Sequence, residues 1–153
     1  MQDYPLHPEK PSSGASFRIY GKALDLEAIT RTLGISPSHS HKMGDPGPLS
    51  RPYALDMWML SAPVDKALPL EAHLIWLSDV LAPHHQFLNS IREVSEIDIY
   101  CHYAFYSDQN GFTLSPQALK VFMDLGLPLD IGLLYILLEE PHISGERRLH
   151  PVE

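Results

Sequence analysis

The sequence predicts an α+β domain of ferredoxin-like type, a four-stranded antiparallel sheet made from two βαβ units with a long helix between them. Three observations predict it. Strand, helix and strand patterns occur in that order twice, over 16–62 and over 96–138. The two units echo each other, with Ile-Tyr at 19–20 and 99–100 and with helices that close in Leu-Gly at 33–34 and 125–126. Between them lies a leucine stripe at helical spacing over 68–94. Two split βαβ units of this kind make one antiparallel sheet with helices on a face.

In the first unit, SFRIYG at 16–21 alternates Phe17 and Ile19 with Arg18 and Tyr20, the period of a half-buried strand. Asp25 can cap the helix that follows. Leu26, Ile29 and Leu33 recur at helical spacing, and Gly34 supplies a left-handed stop. Next comes SHSHKMGDPG at 38–47, in a stretch with Pro37, Pro46, Pro48 and Pro52. Proline fixes φ and removes a donor, so this backbone is read as irregular but stiff. YALDMWMLSA at 53–62 is the second strand.

The 68–94 segment aligns Leu70, Leu74, Leu77, Leu81, Leu88 and Ile91 in one stripe, with Pro83 inside it. A mid-helix proline costs ~3 kcal/mol, which predicts a kink or two abutting helices. The stripe must be buried in the sheet's helix layer, on its other face, or against a second copy as a homodimer. EIDIYCHYAFY at 96–106 is the third strand. The 114–126 helix has Ser115 as cap, Pro116 at its first position and Gly126 as stop, and PLDIGLLYILL at 128–138 is the last strand. The domain is placed at 15–138, with a flexible tail at 1–14 and a loose one at 139–153.

Composition narrows the function. The chain has 153 residues, 44% of them hydrophobic, enough for one domain with its own core. Net charge is −8, with 11 Lys and Arg against 19 acids, so nucleic acid is not the expected partner. A basic partner or a protein partner suits the charge better. One cysteine, Cys101, precludes an internal disulfide. The start lacks the pattern of a secretory signal, and no apolar run reaches the ~18 residues of a membrane span. The expected location is the cytoplasm.

Taken together, LGISPS, KMGDP, DMWMLS, LPLEAHLIWL with LAPH, IDIYC, GFTLSP and LPLDI, in this order over most of residues 16–137, resemble a family of small bacterial proteins described as domain of unknown function 4279. The resemblance implies a bacterial, cytoplasmic, compact α+β domain. It points to Gly44, Asp45, Pro46, Trp58 and Gly111-Phe112 as pattern positions, and it carries over no catalytic role.

Few residues offer chemistry. His39, His41 and Asp45 are ligand types that zinc accepts, but their spacing matches no zinc pattern, so no metal or other cofactor is expected and this trio is the alternative. Gly44-Asp45-Pro46 reads as a rigid corner in which the aspartate accepts backbone N–H groups. Lys42 with loop amides is a weak anion site. Cys101 and His102 face opposite sides of a strand and cannot act together. The residues projecting from the sheet's polar face are the stronger candidates. Arg18 and Tyr20 come from strand one and Asp98, Tyr100 and His102 from strand three. Asp56 and Trp58 join them if the alternation of strand two holds. These residue types anchor protein interfaces, and an Arg18–Asp98 pair is expected among them. The functional expectation is a non-enzymatic protein-interaction module, with an immunity or regulatory protein as its concrete form. The alternative is a small-molecule- or metal-binding protein, in one form an enzyme, with its site between the 37–52 loop and the sheet face.

Overall fold

The computed structural model describes residues 10–107 and 109–137. The C-terminal tail expected at 139–153, and positions 1–9 of the N-terminal one, lie outside the described residues. The central strand β1, Ser12–Gly21, begins inside the stretch assigned to the N-terminal tail. Helix α1, Leu26–Leu33, follows with the expected ends: the Asp25 side chain accepts from Ala28 N, and Gly34 adopts φ 65°. A three-residue strand β2, His39–His41, then precedes β3, Asp56–Ser61. The 68–94 stripe becomes α2, Leu70–Leu81, and α3, His85–Ser90, with a 3-10 turn carrying Pro83 between them. Pro83 has no N–H to continue the α ladder, so the break falls where the proline predicts. The chain continues through β4, Glu96–Phe105, α4, Pro116–Leu125, and β5, Asp130–Tyr135. Ser115 and Gly126 cap α4 as read from the sequence.

The sheet corrects the expected topology. It has five strands in the order β2-β3-β1-β4-β5 and is mixed, because β5 runs parallel to β4 while the other neighbours are antiparallel. The segment read as the second strand, here β3, lies directly beside β1 and antiparallel to it. The short β2 takes the edge beyond it. Three residues of sequence His-Ser-His carry no apolar alternation, so local pattern could not reveal the strand that turns the chain round. The expectation that strands one and three are central neighbours holds, with β1 and β4 paired along their length.

The described helices share one core with one face of the sheet. Phe17 and Ile19 of β1, Trp58 and Leu60 of β3, and Ile99 and Cys101 of β4 are buried there against Leu33, the leucines of α2, Leu88, and Val121, Phe122 and Leu125 of α4. Leu70, Leu74, Leu77, Leu81 and Leu88 of the stripe are each 0% exposed, and Ile91 packs partly buried against the same core. No helix of the described residues is long and apolar enough to cross a membrane.

Candidate functional site

Among the described residues, the opposite face of the sheet carries no helix of the shared core. Antiparallel pairing places directly opposed residues on one face. Arg18 therefore sits between Met59 of β3 and Asp98 of β4, and Tyr20 between Met57 and Glu96. The expected ion pair is present and bidentate. Arg18 Nε donates to Asp98 Oδ1 at 2.7 Å and Nη2 to Oδ2 at 2.6 Å. The hydrogen bond to Asp98 raises the Arg18 pKa above its ordinary value, against the cost of burial. The guanidinium also lies 5.2 Å from the centre of the Tyr100 ring, within cation–π range. Tyr20 OH points at Asp98 Oδ2 from 3.5 Å, and burial raises its pKa. Both charged side chains keep about 30% exposure, so the expected Arg18–Asp98 coupling is only about 1 kcal/mol. A double-mutant cycle of Arg18→Met and Asp98→Asn, read by urea unfolding, checks it, and the coupling should shrink with added salt.

Two glycines shape this surface. A Cβ at Gly14 would meet His102 Cε1 at 2.4 Å, and one at Gly132 would stand 3.2 Å from Tyr100 Oη. His102 therefore lies close over β1, and Tyr100 reaches over β5, which together make a flat aromatic shelf. Burial lowers the His102 pKa, and nearby Lys66 adds to the shift. Toward the edge lies a cavity of about 410 Å³ lined by Tyr100, His102, Tyr103, Ala104 and Gly132 to Leu134.

Asp56 and Trp58 do not belong to this face, contrary to the expected alternation. Trp58 is opposite Ile19 and fully buried, and its Nε1 donates to Thr30 Oγ1 of α1 at 2.9 Å. Met57 and Met59 take the open positions instead. DMWMLS is apolar at four successive positions, so its sequence leaves the phase of the strand undecided, and the tryptophan takes the side with room for it.

Asp56 organises the SHSHKMGDPG loop. At 1% exposure, its Oδ2 accepts from Leu24 N and Lys42 Nζ, both at 2.8 Å, and its Oδ1 accepts from Met43 N at 2.7 Å. These donors, Lys42 first, hold its carboxyl at about 2. Lys42 Nζ also donates to Leu24 O. The lysine is thus paired with Asp56 while its side chain stays about half exposed. Asp45 accepts from Lys42 N, and Gly44 takes φ 91°, which makes the rigid corner read from Gly-Asp-Pro. His39 Nε2 and His41 Nδ1 approach to 2.9 Å, and His41 stacks on Tyr53. Burial, then His39, lowers the His41 pKa. Among the described residues no group of three or more His, Cys, Asp or Glu is placed to hold a metal ion. At the loop's tip Leu49 has φ 56° and Ser50 φ 58°, a costly conformation for residues other than glycine, and Leu49 is 92% exposed.

Cys101 is buried, and that burial pushes its thiol up to about 12, so it is a core residue and not a nucleophile at neutral pH. Sequence reasoning missed the β5 edge. Leu133, Leu134 and Leu137 are 64%, 59% and 75% exposed, and Tyr135 is 44% exposed. The run Gly-Leu-Leu-Tyr-Ile-Leu at 132–137 is visible in the sequence as a strand. An edge place for it is not, because edge position depends on pairing with β4.

A family model described as Domain of unknown function (DUF4279) matches residues 10–135. No curated protein and no solved structure matches the chain.

Proposed function

The chain belongs to the DUF4279 family, and from that premise we propose that it is a non-enzymatic protein-interaction module that docks a basic protein on the β5 edge and the adjoining open sheet face. In this reading it serves as an immunity or regulatory protein of the bacterial cytoplasm. One observation carries the proposal. Among the described residues, β5 is an edge strand with leucines left in water and without the lysine, proline or cover that ordinarily blunts such an edge. Along β5 the only charge is Asp130, at its start. An extended partner segment added beside β5 would gain main-chain hydrogen bonds from the strand and set its side chains beside Leu133 on one face and Leu134 on the other. The aromatic shelf of Tyr100 and His102, with Arg18, Tyr20 and Asp98 beyond it, would form the rest of the contact.

Charge selects the occupant. A net charge of −8 opposes a second copy and attracts a basic protein, so association should slow as salt rises. Leu49, held outward on its strained tip, is a second apolar contact at the far side of the sheet. In the same reading, β2-β3-β1-β4 is a ferredoxin-like plait, to which α4 and β5 are an addition that supplies the binding edge.

The test is crosslinked capture with the full chain from the source cells, repeated with Leu133→Lys, whose exposed position leaves the core untouched. We expect one stoichiometric basic partner, at least about tenfold weaker affinity for the variant, equivalent to ~1.4 kcal/mol, and an association rate that falls with salt. Equal capture by the variant, or no partner at all, overturns the proposal. A dimer of the chain itself that Leu133→Lys disperses would assign the edge to self-association instead.

A further inference from the structure

A cavity of about 560 Å³ lies between the beginnings of β1, α2 and α4, and the protein-interaction reading makes no use of it. The sequence builds it in steps. After β3 the chain runs back along β1, with Ser13 N donating to Lys66 O at 2.9 Å and Ser13 Oγ to Leu68 O at 2.9 Å. This places Leu68 and Pro69 at one wall. Tyr103 of β4, 6% exposed, forms another wall, and its OH donates to Gly111 O at 3.1 Å and to Asn110. That anchor brings the Phe112 ring to 4.9 Å from the Tyr103 ring. Leu68 and Phe112 remain 49% and 38% exposed, apolar groups facing an open space.

The polar groups in the lining are one-sided. Glu71, in the first turn of α2, accepts from Ser115 N at 3.0 Å through Oε2 and so ties the two helix beginnings together. Among the described residues its Oε1 accepts no hydrogen bond, and no lysine, arginine or histidine lines the cavity. One carboxylate and two aromatic rings lining a mainly apolar recess of ordinary ligand size select positive charge and disfavour negative charge.

We propose that this cavity binds a small organic cation, with an ammonium or guanidinium head at Glu71 and an apolar body against Phe112, Tyr103 and Leu68. The helix beginnings do not turn it into an anion site. Ser115 caps α4 by accepting from Ala118 N, and α2, which has no side-chain cap, carries the negative charge of Glu71 in its first turn, where it opposes an anion. The inference does not depend on β5 or on any protein partner.

Three probes of similar shape test it by calorimetric titration of the full chain: phenethylammonium, 2-phenylethanol and 3-phenylpropionate. The expected result is saturable one-site binding of the ammonium, at least tenfold tighter than the alcohol and with no binding of the carboxylate. Glu71→Gln keeps an oxygen for Ser115 N and should abolish the preference for ammonium over alcohol. Phe112→Ala, at an exposed position, should weaken ammonium binding several-fold with the fold intact by circular dichroism. Absence of saturable ammonium binding overturns the proposal, as does equal binding of the carboxylate or a preference that survives in Glu71→Gln.

Discussion

Asp56→Ala is expected to destabilise the domain by about 3 kcal/mol and to loosen the chain between β2 and β3. The loss comes from unpaired donors. Leu24 N, in a buried bond, and Met43 N, in a part-buried one, each lose their acceptor; a buried amide without a partner costs about 1–3 kcal/mol, and the part-buried one adds less. Lys42, half exposed, can turn to water and adds less. Against a typical domain stability of about 5–15 kcal/mol, this is a large fraction. Urea unfolding at neutral pH measures it, and hydrogen exchange at Met43 N and Gly44 N locates it. The same carboxylate sets a pH dependence. Its pKa is lowered from 3.8 to about 2 in the folded chain, so the folded state holds the proton more weakly than the unfolded one. The stabilisation is complete above about pH 4 and is lost as pH falls through about 2. Each tenfold weakening of proton binding is worth ~1.4 kcal/mol, so this carboxylate contributes about 2 kcal/mol. Asp56→Asn should lack this component of acid sensitivity, while the rest of the acid unfolding persists.

Trp58→Ala is expected to cost about 3–5 kcal/mol, the range for removing a buried aromatic side chain from a core. The ring is 0% exposed, meets Phe17 edge-on at 6.5 Å and holds α1 to the sheet through Thr30. Trp58→Phe keeps most of the apolar contact and loses the hydrogen bond and part of the volume, so about 1–2 kcal/mol is expected. Thermal and urea unfolding of both variants check the order. If Trp58→Ala unfolded like the wild type, the residue would not be the core anchor that its burial implies. This placement also governs how binding is tested. A tryptophan on the open face would have been a natural interface anchor, but one inside the core reports on folding, and Leu133 is the informative position.

The parts of this protein that could be read from the sequence depend on neighbours along the chain. Asp25 with Gly34, and Ser115 and Pro116 with Gly126, mark two helices because a cap is settled within a few residues. The leucine stripe of 68–94 and its break at Pro83 follow from helical period and from a missing N–H. The alternation in β1 and β4 was strong enough to put Arg18, Tyr20, Asp98, Tyr100 and His102 on one face and to anticipate the Arg18–Asp98 pair. The Gly-Asp-Pro corner was legible too, because the aspartate bonds a backbone amide three residues away.

What local pattern left open was settled by groups far apart in the chain. Asp56 and Trp58 face the helices because Leu24, Thr30 and Lys42 await them there, and a strand that is apolar at four successive positions carries no phase of its own. Glu71 meets Ser115 across 44 residues, a pairing that neither segment encodes alone. The three-residue β2 is a strand only because β3 lies beside it, and β5 is an exposed edge only because its other neighbour is β4. Periodicity and capping act through the few residues next in line, so this chain's own order specified its helices, its main strands and the polar face of β1 and β4. Strand order, the phase of an all-apolar strand and the location of exposed surface arise when distant segments compete for the same partners, and those were determined by packing in three dimensions.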